Sequence, residues 1–303
     1  MNPPAPGTTR APVSPDLSPV PINPYFGLLA ATIAVSFSAI LIKDSRVPAL
    51  VIATYRMVFT SLLLLPFLRR THLARIRALE GKSRGLMVLS GLLLALHFAF
   101  WTASLSYTSV ASSVLFVSIH PALVAAGGAA VLGERPSRRA VIGILCTLLG
   151  SAVIAGGDFR LGGQALLGDG LAALGAVVFA GYLVIGRGVR QVLDNISYSI
   201  PVYGLCAGFL AGLALAFRQS LIAVGSRDLL DFLALAVVCT LGGHLLYNWT
   251  LRYLPAAAVS ISFLGEPVGA SLLAWLLLGQ QPAATSAGGG AIVLAGIWLT
   301  IRS

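Results

Sequence analysis

The stretch AAAVSISFLGEPVGASLLAWLLL, residues 256–278, decides how this chain is read. It is long and apolar enough to cross a bilayer as a helix, which takes roughly 20 residues. Yet its eleventh residue is Glu266 and its twelfth is Pro267. A charge at bilayer centre costs roughly 2.5–3.5 kcal/mol on insertion scales, so it normally faces a cavity or a partner. The proline removes one helical hydrogen bond and frees the carbonyl of Phe263. Together they read as a site. Residues 109–132, SVASSVLFVSIHPALVAAGGAAVL, repeat the arrangement with His120 before Pro121, which frees the carbonyl of Val117. The two kinks lie 146 residues apart, close to half the chain.

The rest of the chain fits that reading. Of its 303 residues 57% are hydrophobic and 10% charged, where a soluble domain carries roughly 25% charged residues. Ten apolar segments are predicted, at about 25–42, 49–68, 86–106, 109–132, 139–156, 168–188, 198–216, 229–252, 256–278 and 284–302. No room remains for a soluble domain. Residues 1–24 hold eight of the sixteen prolines and no apolar run, which predicts a disordered tail. Cys146, Cys206 and Cys239 fall inside spans without metal-ligand spacing and suit core packing.

Net charge is +10, but its placement argues against nucleic acid. Arg69, Arg70, Arg75, Arg77, Lys82 and Arg84 fall between spans two and three, and Arg135, Arg138 and Arg139 between four and five. With Arg187, Arg190, Arg10, Arg252 and Arg302, fourteen of the twenty Lys and Arg residues fall on one side. Lys43, Arg46, Arg160, Arg218 and Arg227 fall on the other. This is the positive-inside asymmetry, with both termini cytoplasmic. The partners expected are a lipid bilayer and a small-molecule substrate.

A shift of 146 residues aligns Tyr107 with Tyr253, Pro121 with Pro267, Leu132-Gly133 with Leu278-Gly279, Pro136 with Pro282, and Gly143 and Gly150 with Gly289 and Gly296. The expected architecture is all-α integral membrane. A first five-helix repeat covers 25–156 and a second covers 168–302. Five is odd, so the second half enters from the opposite face, and the repeats are inverted in topology. Secondary transporters are often built this way, with the substrate near midplane between the halves.

The paired prolines, the Gly133-Glu134-Arg135 exit from span four and the glycine-rich tenth span around Gly288-Gly289-Gly290 carry a resemblance. Over residues 25–302 the sequence resembles the drug/metabolite transporter superfamily, specifically its EamA-type ten-helix exporters. Within it the chain is most similar to bacterial amino-acid exporters. It departs at Gly279-Gln280-Gln281, where the family usually places a second Gly-Glu. The resemblance implies a multi-pass protein of the bacterial inner membrane. It implies export of amino acids, aromatic and other neutral ones favoured, and of related metabolites, by alternating access and with no cofactor or metal. A multidrug or organic-cation exporter is the alternative. An enzyme is disfavoured, because titratable residues are sparse and no HExxH or nucleophile motif occurs.

The central cavity is expected to draw on residues near both kinks. Glu266 could bind a substrate ammonium or carry a coupling proton, with Ser262 one turn before it. Ser112 and Phe116 stack under His120 in the same way. His97, Trp101 and Ser104 share a face of span three with Thr108, and His244, Tyr247 and Asn248 line span eight. An aromatic wall with few polar groups suits an amphipathic small molecule. The histidines equally suit helix–helix hydrogen bonds. Arg56, about seven residues into span two, either snorkels outward or pairs with Glu266. Pro121 and Pro267 are the expected hinges. Gly204, Gly208 and Gly212 form a ridge expected to pack against a neighbouring helix or to serve as a sliding surface. The tenth-span glycines admit that reading and also a homodimer interface.

Overall fold

The computed structural model describes residues 22–43, 45, 47–108, 110–155, 163–222, 224–279 and 284–302. The proline-rich tail to residue 21, Arg46, Arg160 and Gln280-Gln281-Pro282 lie outside them, as does the side chain of Lys43.

Among the described residues every regular element is helical. The first half comprises α1 (Pro24–Val35), α2 (Ser38–Lys43), α3 (Ala49–Leu64), a short α4 (Arg70–Arg77) and α5 (Gly81–Ser104). It continues through α6 (Val110–Val117), α7 (His120–Gly127) and α8 (Arg138–Ala155). The second half comprises α9 (Gln164–Arg190), α10 (Asn195–Ala216), α11 (Ser226–Ala234) and α12 (Leu245–Thr250). It ends with α13 (Ala256–Ser262), α14 (Glu266–Leu278) and α15 (Ala284–Ile301). Helices suit this composition because each backbone polar group is satisfied within its own segment. Among the described residues seven helical stretches are long and apolar enough to cross a membrane: 49–67, 81–104, 112–132, 164–190, 195–216, 226–250 and 256–277. The first predicted span is broken at Ser36-Phe37, between α1 and α2.

The period seen in the sequence reappears in the helix starts. α3 and α10, α6 and α13, α7 and α14, and α8 and α15 each begin 146 residues apart. Gly133 and Gly279, also 146 apart, have φ of 72° and 67°. This left-handed conformation ends a helix and suits glycine, which explains why Leu-Gly recurs there.

The two kinks are real breaks. At the first, the helix stops at Val117 and resumes at His120. At the second, Phe263–Gly265 tighten into a 3-10 turn before Glu266. The carbonyls that the prolines free find new neighbours. Val117 O faces His120 Nδ1 at 2.8 Å, and Phe263 O accepts from the Glu266 amide. A third irregularity joins α11 to α12. Over Leu235–His244 the backbone widens to a π-helical turn, a form often found at functional sites.

Glycines set the closest helix contacts. A Cβ built on Gly150 would sit 2.7 Å from Gly289 O, and one on Gly296 would sit 2.5 Å from Gly143 O. α8 and α15 therefore touch backbone to backbone. The contact is reciprocal, since Gly143 and Gly150 correspond to Gly289 and Gly296 at the 146 offset. Self-complementary contacts of this kind mark a two-fold relation. Gly289 and Gly296 thus spend their close approach within the chain. The expected ridge at Gly204, Gly208 and Gly212 is corrected: these glycines are exposed, and an added Cβ would meet nothing within 4 Å. Spacing marked a smooth helix face but could not say whether a partner lies over it.

The charged ends separate. Arg75 bonds Asp194 at 2.7 Å, which ties α4 to the start of α10. Arg187 Nε donates to Glu134 Oε1 at 2.6 Å. At the opposite end Thr108 and Ser112 donate to Asp169 at 2.8 and 2.7 Å, and Ser45 donates to Asp228 at 2.9 Å. The first described residues sit at the basic end, where Ile22 and Asn195 line one groove. Thr300 beside Ala140 places the end of α15 there too.

Candidate functional site

Between the two kinks lies a small cavity. Its lining combines Val35 and Ser38 with Arg56 of α3, His97, Phe98 and Trp101 of α5, and His120. Phe179 of α9, His244, Phe263, Glu266 and Pro267 close the other side. Glu266 is the acidic residue in this lining, and Arg56 is its one arginine.

The wall is aromatic. His97 stacks on Phe179 with ring centroids 4.2 Å apart and lies nearly parallel to Trp101. Phe263 meets Phe179 edge-on at 5.1 Å and His244 at 5.6 Å. Such offset and edge contacts fix ring positions beyond what apolar burial alone gives. Phe179 comes from α9, Phe263 from the second kink and Phe98 from α5. Sequence reasoning missed all three, because a phenylalanine in a span looks the same whether it faces lipid or a cavity.

Arg56 is corrected against both expectations. It does not snorkel, being only 2% exposed. It forms no ion pair with Glu266: the ion pairs among the described residues are His72–Asp194, Arg75–Asp194 and Arg187–Glu134. Its Nε donates to Thr240 Oγ1 at 2.7 Å, and its guanidinium carbon lies 4.8 Å from the centre of the Phe98 ring. Thr240 sits in the π turn and also donates to Leu235 O, five residues back. That turn therefore presents both Thr240 and His244 to the site. Arg56 Nη2 is buried with no hydrogen-bond partner among the described residues.

His120 is held from two sides. Its Nδ1 faces Val117 O at 2.8 Å and its Nε2 faces Ser260 O of α13 at 3.1 Å. A neutral imidazole has one N–H and can donate to one of them; the imidazolium donates to both. The ring bridges the halves of the chain at their kinks. His97 Nδ1 lies 3.1 Å from Gly175 O.

The remaining sequence candidates lie away from the cavity lining. Asn248 accepts from Tyr182 at 2.8 Å and donates to Tyr203 at 2.9 Å. Its carbonyl takes a bond from the buried Arg190. Tyr247 stacks on Phe263 at 3.7 Å and shares a hydrogen bond with Thr32, so it backs the wall. Ser104 binds Trp101 O and Ser113, and Ser262 binds Ala258 O. Ser112 sits on Asp169 at one end of the bundle. Phe116, half-buried on α6, and Pro121, buried behind His120, are not in the lining.

The cavity is narrow, and the helices beyond it are tied together at the basic end. Its volume is about 50 Å³, room for a few waters at most and far below the roughly 300–1,000 Å³ of ligand pockets. At the basic end Glu134 joins Arg187 and accepts the Ala256 amide at 3.2 Å. Arg187 in turn donates to Leu251 O and Arg252 O at 2.7 and 3.0 Å. One ion pair thus ties the exit of α7 to α9, to the end of α12 and to the start of α13. The sequence marked Glu134 by its motif and Arg187 by its side, but nothing in it paired them. A larger concavity of about 510 Å³ is an apolar surface groove between α1 and α12 and carries no charged group.

Comparisons with known proteins agree on the kind of molecule. The EamA-like transporter family model matches residues 23–156 and again 166–302. The chain is 24% identical over 281 residues to an uncharacterized transporter of Archaeoglobus fulgidus, covering 90% of this chain and 96% of that one. It is 35% identical over 68 residues to the permease-like protein YdzE of Bacillus subtilis, covering 22% of this chain and 87% of that one. A solved crystal structure superposes with a TM-score of 0.73 at 21% identity over 92% of this chain and 98% of that one, a likeness of fold. The chain belongs to the EamA-like transporter family. The family and the names of these relatives indicate a multi-pass membrane transporter.

Proposed function

We propose that this member of the EamA-like transporter family moves amino acids, aromatic and other neutral ones first, out of the cell by alternating access. The observation that carries the reading is the cavity itself: both proline kinks end on it, and Glu266 at one kink faces it. A carboxylate in an aromatic, water-poor wall is suited to a substrate ammonium. The amino-acid class and the outward direction rest on the resemblance to bacterial amino-acid exporters.

The two matched segments, the 146-residue spacing of helix starts and the reciprocal α8–α15 contact support two inverted five-helix repeats and ten spans. The basic end is the cytoplasmic one, in a bacterial inner membrane. The narrow cavity is then a contracted state of the cycle. Substrate enters when the Glu134–Arg187 tie parts, and leaves when Thr108 and Ser112 release Asp169 at the far end. Each half rocks about its kink, Pro121 or Pro267.

A lipophilic cation is the second reading, favoured by the same rings and one acid, since aromatic faces attract cations. Uptake of radiolabelled phenylalanine, tryptophan and threonine into vesicles holding only this protein separates the two, with a panel of cationic toxicants as competitors. Saturable uptake blocked by other amino acids supports the first reading. Transport of the toxicants alone supports the second.

A further inference from the structure

Within the amino-acid reading just given, we infer that Arg56 anchors the substrate carboxylate opposite Glu266, so that the cavity selects zwitterions over plain amines.

Arg56 is 2% exposed and lines the cavity. Burying a guanidinium is costly unless its donors are used. Two restraints hold this one in place: the Nε bond to Thr240 and the Phe98 ring beneath it. Neither uses Nη2, which has no hydrogen-bond partner among the described residues. An unmade buried hydrogen bond costs roughly 1–3 kcal/mol, more when the group is charged. A planar guanidinium fork is shaped for a carboxylate. Glu266 would be the ready partner, but the two form no ion pair. Both charges instead line one cavity, which at about 50 Å³ must widen as the halves part before an amino acid can sit between them. An amino-acid zwitterion supplies a negative group for Arg56 and a positive group for Glu266. A simple amine satisfies Glu266 and leaves Arg56 unpaired. Sites built to bond a particular group reject analogues lacking it, because the site's own polar atoms are stranded.

The test compares phenylalanine with phenethylamine, the same ring and amine without the carboxylate, as radiolabelled substrates in proteoliposomes. Wild-type protein, Arg56→Gln and Arg56→Lys are measured side by side, each checked for folding by thermal melting. Wild-type protein is expected to prefer phenylalanine at least tenfold. Arg56→Gln is expected to lower that ratio at least tenfold, with Arg56→Lys in between, because lysine keeps the charge but loses the fork. A purely structural arginine would lower both fluxes together and leave the ratio alone. Equal handling of the two substrates by wild-type protein overturns the inference while the transport reading stands, and it needs no variant to fold. If folded wild-type protein moves neither compound, the amino-acid reading falls and this inference with it.

Discussion

At His120-Pro121 both ring nitrogens face carbonyl oxygens, one of them from the other half of the chain. At Glu266-Pro267, the equivalent kink 146 residues on, the carboxylate faces the cavity and forms no ion pair among the described residues. The backbone does nearly the same thing twice, breaking a helix just before the proline. The side chains do different things. His120 sets both ring nitrogens against carbonyls of the protein and bridges the halves. Glu266 keeps its hydrogen-bonding capacity for something that enters. On the proposed reading, the two kinks are divided into a latch and a receptor.

Substitutions can break that comparison. Glu266→Gln should have the largest effect on flux. A charge-assisted hydrogen bond contributes ~1.5–3 kcal/mol, so phenylalanine flux should fall at least about tenfold, with melting near wild type. His120→Ala should act on stability instead. It removes the ring that sits between the Val117 and Ser260 carbonyls and opens a gap, costing about 2 kcal/mol, read as a lower melting temperature. If the two variants exchange these signatures, the assignment of latch and receptor is reversed.

Where the halves are alike, they should respond alike. Gly150→Ala and Gly296→Ala each push a methyl into backbone across the α8–α15 crossing. Both should lose about 1–2 kcal/mol by overpacking. Gly208→Ala, with nothing within 4 Å, should leave melting unchanged or raise it slightly, since alanine favours helix. Unequal costs at Gly150 and Gly296 would undercut the two-fold reading of that contact.

The smallest effect is expected at the helix starts. α10 is capped by Asp194, which accepts from the Ser197 amide and hydroxyl, while its counterpart α3 is preceded by Pro48 with no side-chain cap. Partial burial pushes the Asp194 carboxyl up, but the Ser197 and Arg75 bonds outweigh it and hold the group at about 2, below the ordinary 3.8. Its stabilisation is therefore complete above the ordinary carboxylate range. It is lost as pH falls from about 4 through about 2. Wild-type melting should drop across that window more than Asp194→Asn melting does. Parallel curves would remove Asp194 from the account.

Much of the fold was legible because membranes impose coarse rules. Apolar length picked out seven of the ten predicted spans among the described residues, arginine placement marked one end as basic, and prolines and glycines at one offset matched the spacing of the helix starts. Gly133 and Gly279 stood out only as a matched pair, and the left-handed turn that requires them appears in the structure. The site was legible where a residue was out of place in lipid, as with Glu266, His120 and Arg56. It was not legible where the residue was ordinary and its rotation mattered. Phe98, Phe179 and Phe263 line the cavity, and Asn248 does not, because three neighbours consume its bonds. The π turn that sets Thr240 and His244 has no sequence signal beyond the Gly242-Gly243 pair. Gly243 lets α1 approach so closely that a Cβ there would lie 2.5 Å from Val35.

The most direct test is phenylalanine counterflow in proteoliposomes holding either wild-type or Glu266→Gln protein, both shown to be folded. Saturable counterflow with wild-type protein, reduced at least tenfold by the substitution, is the predicted result. Equal counterflow in the two would contradict the role of Glu266, and none with wild-type protein would contradict amino-acid transport itself.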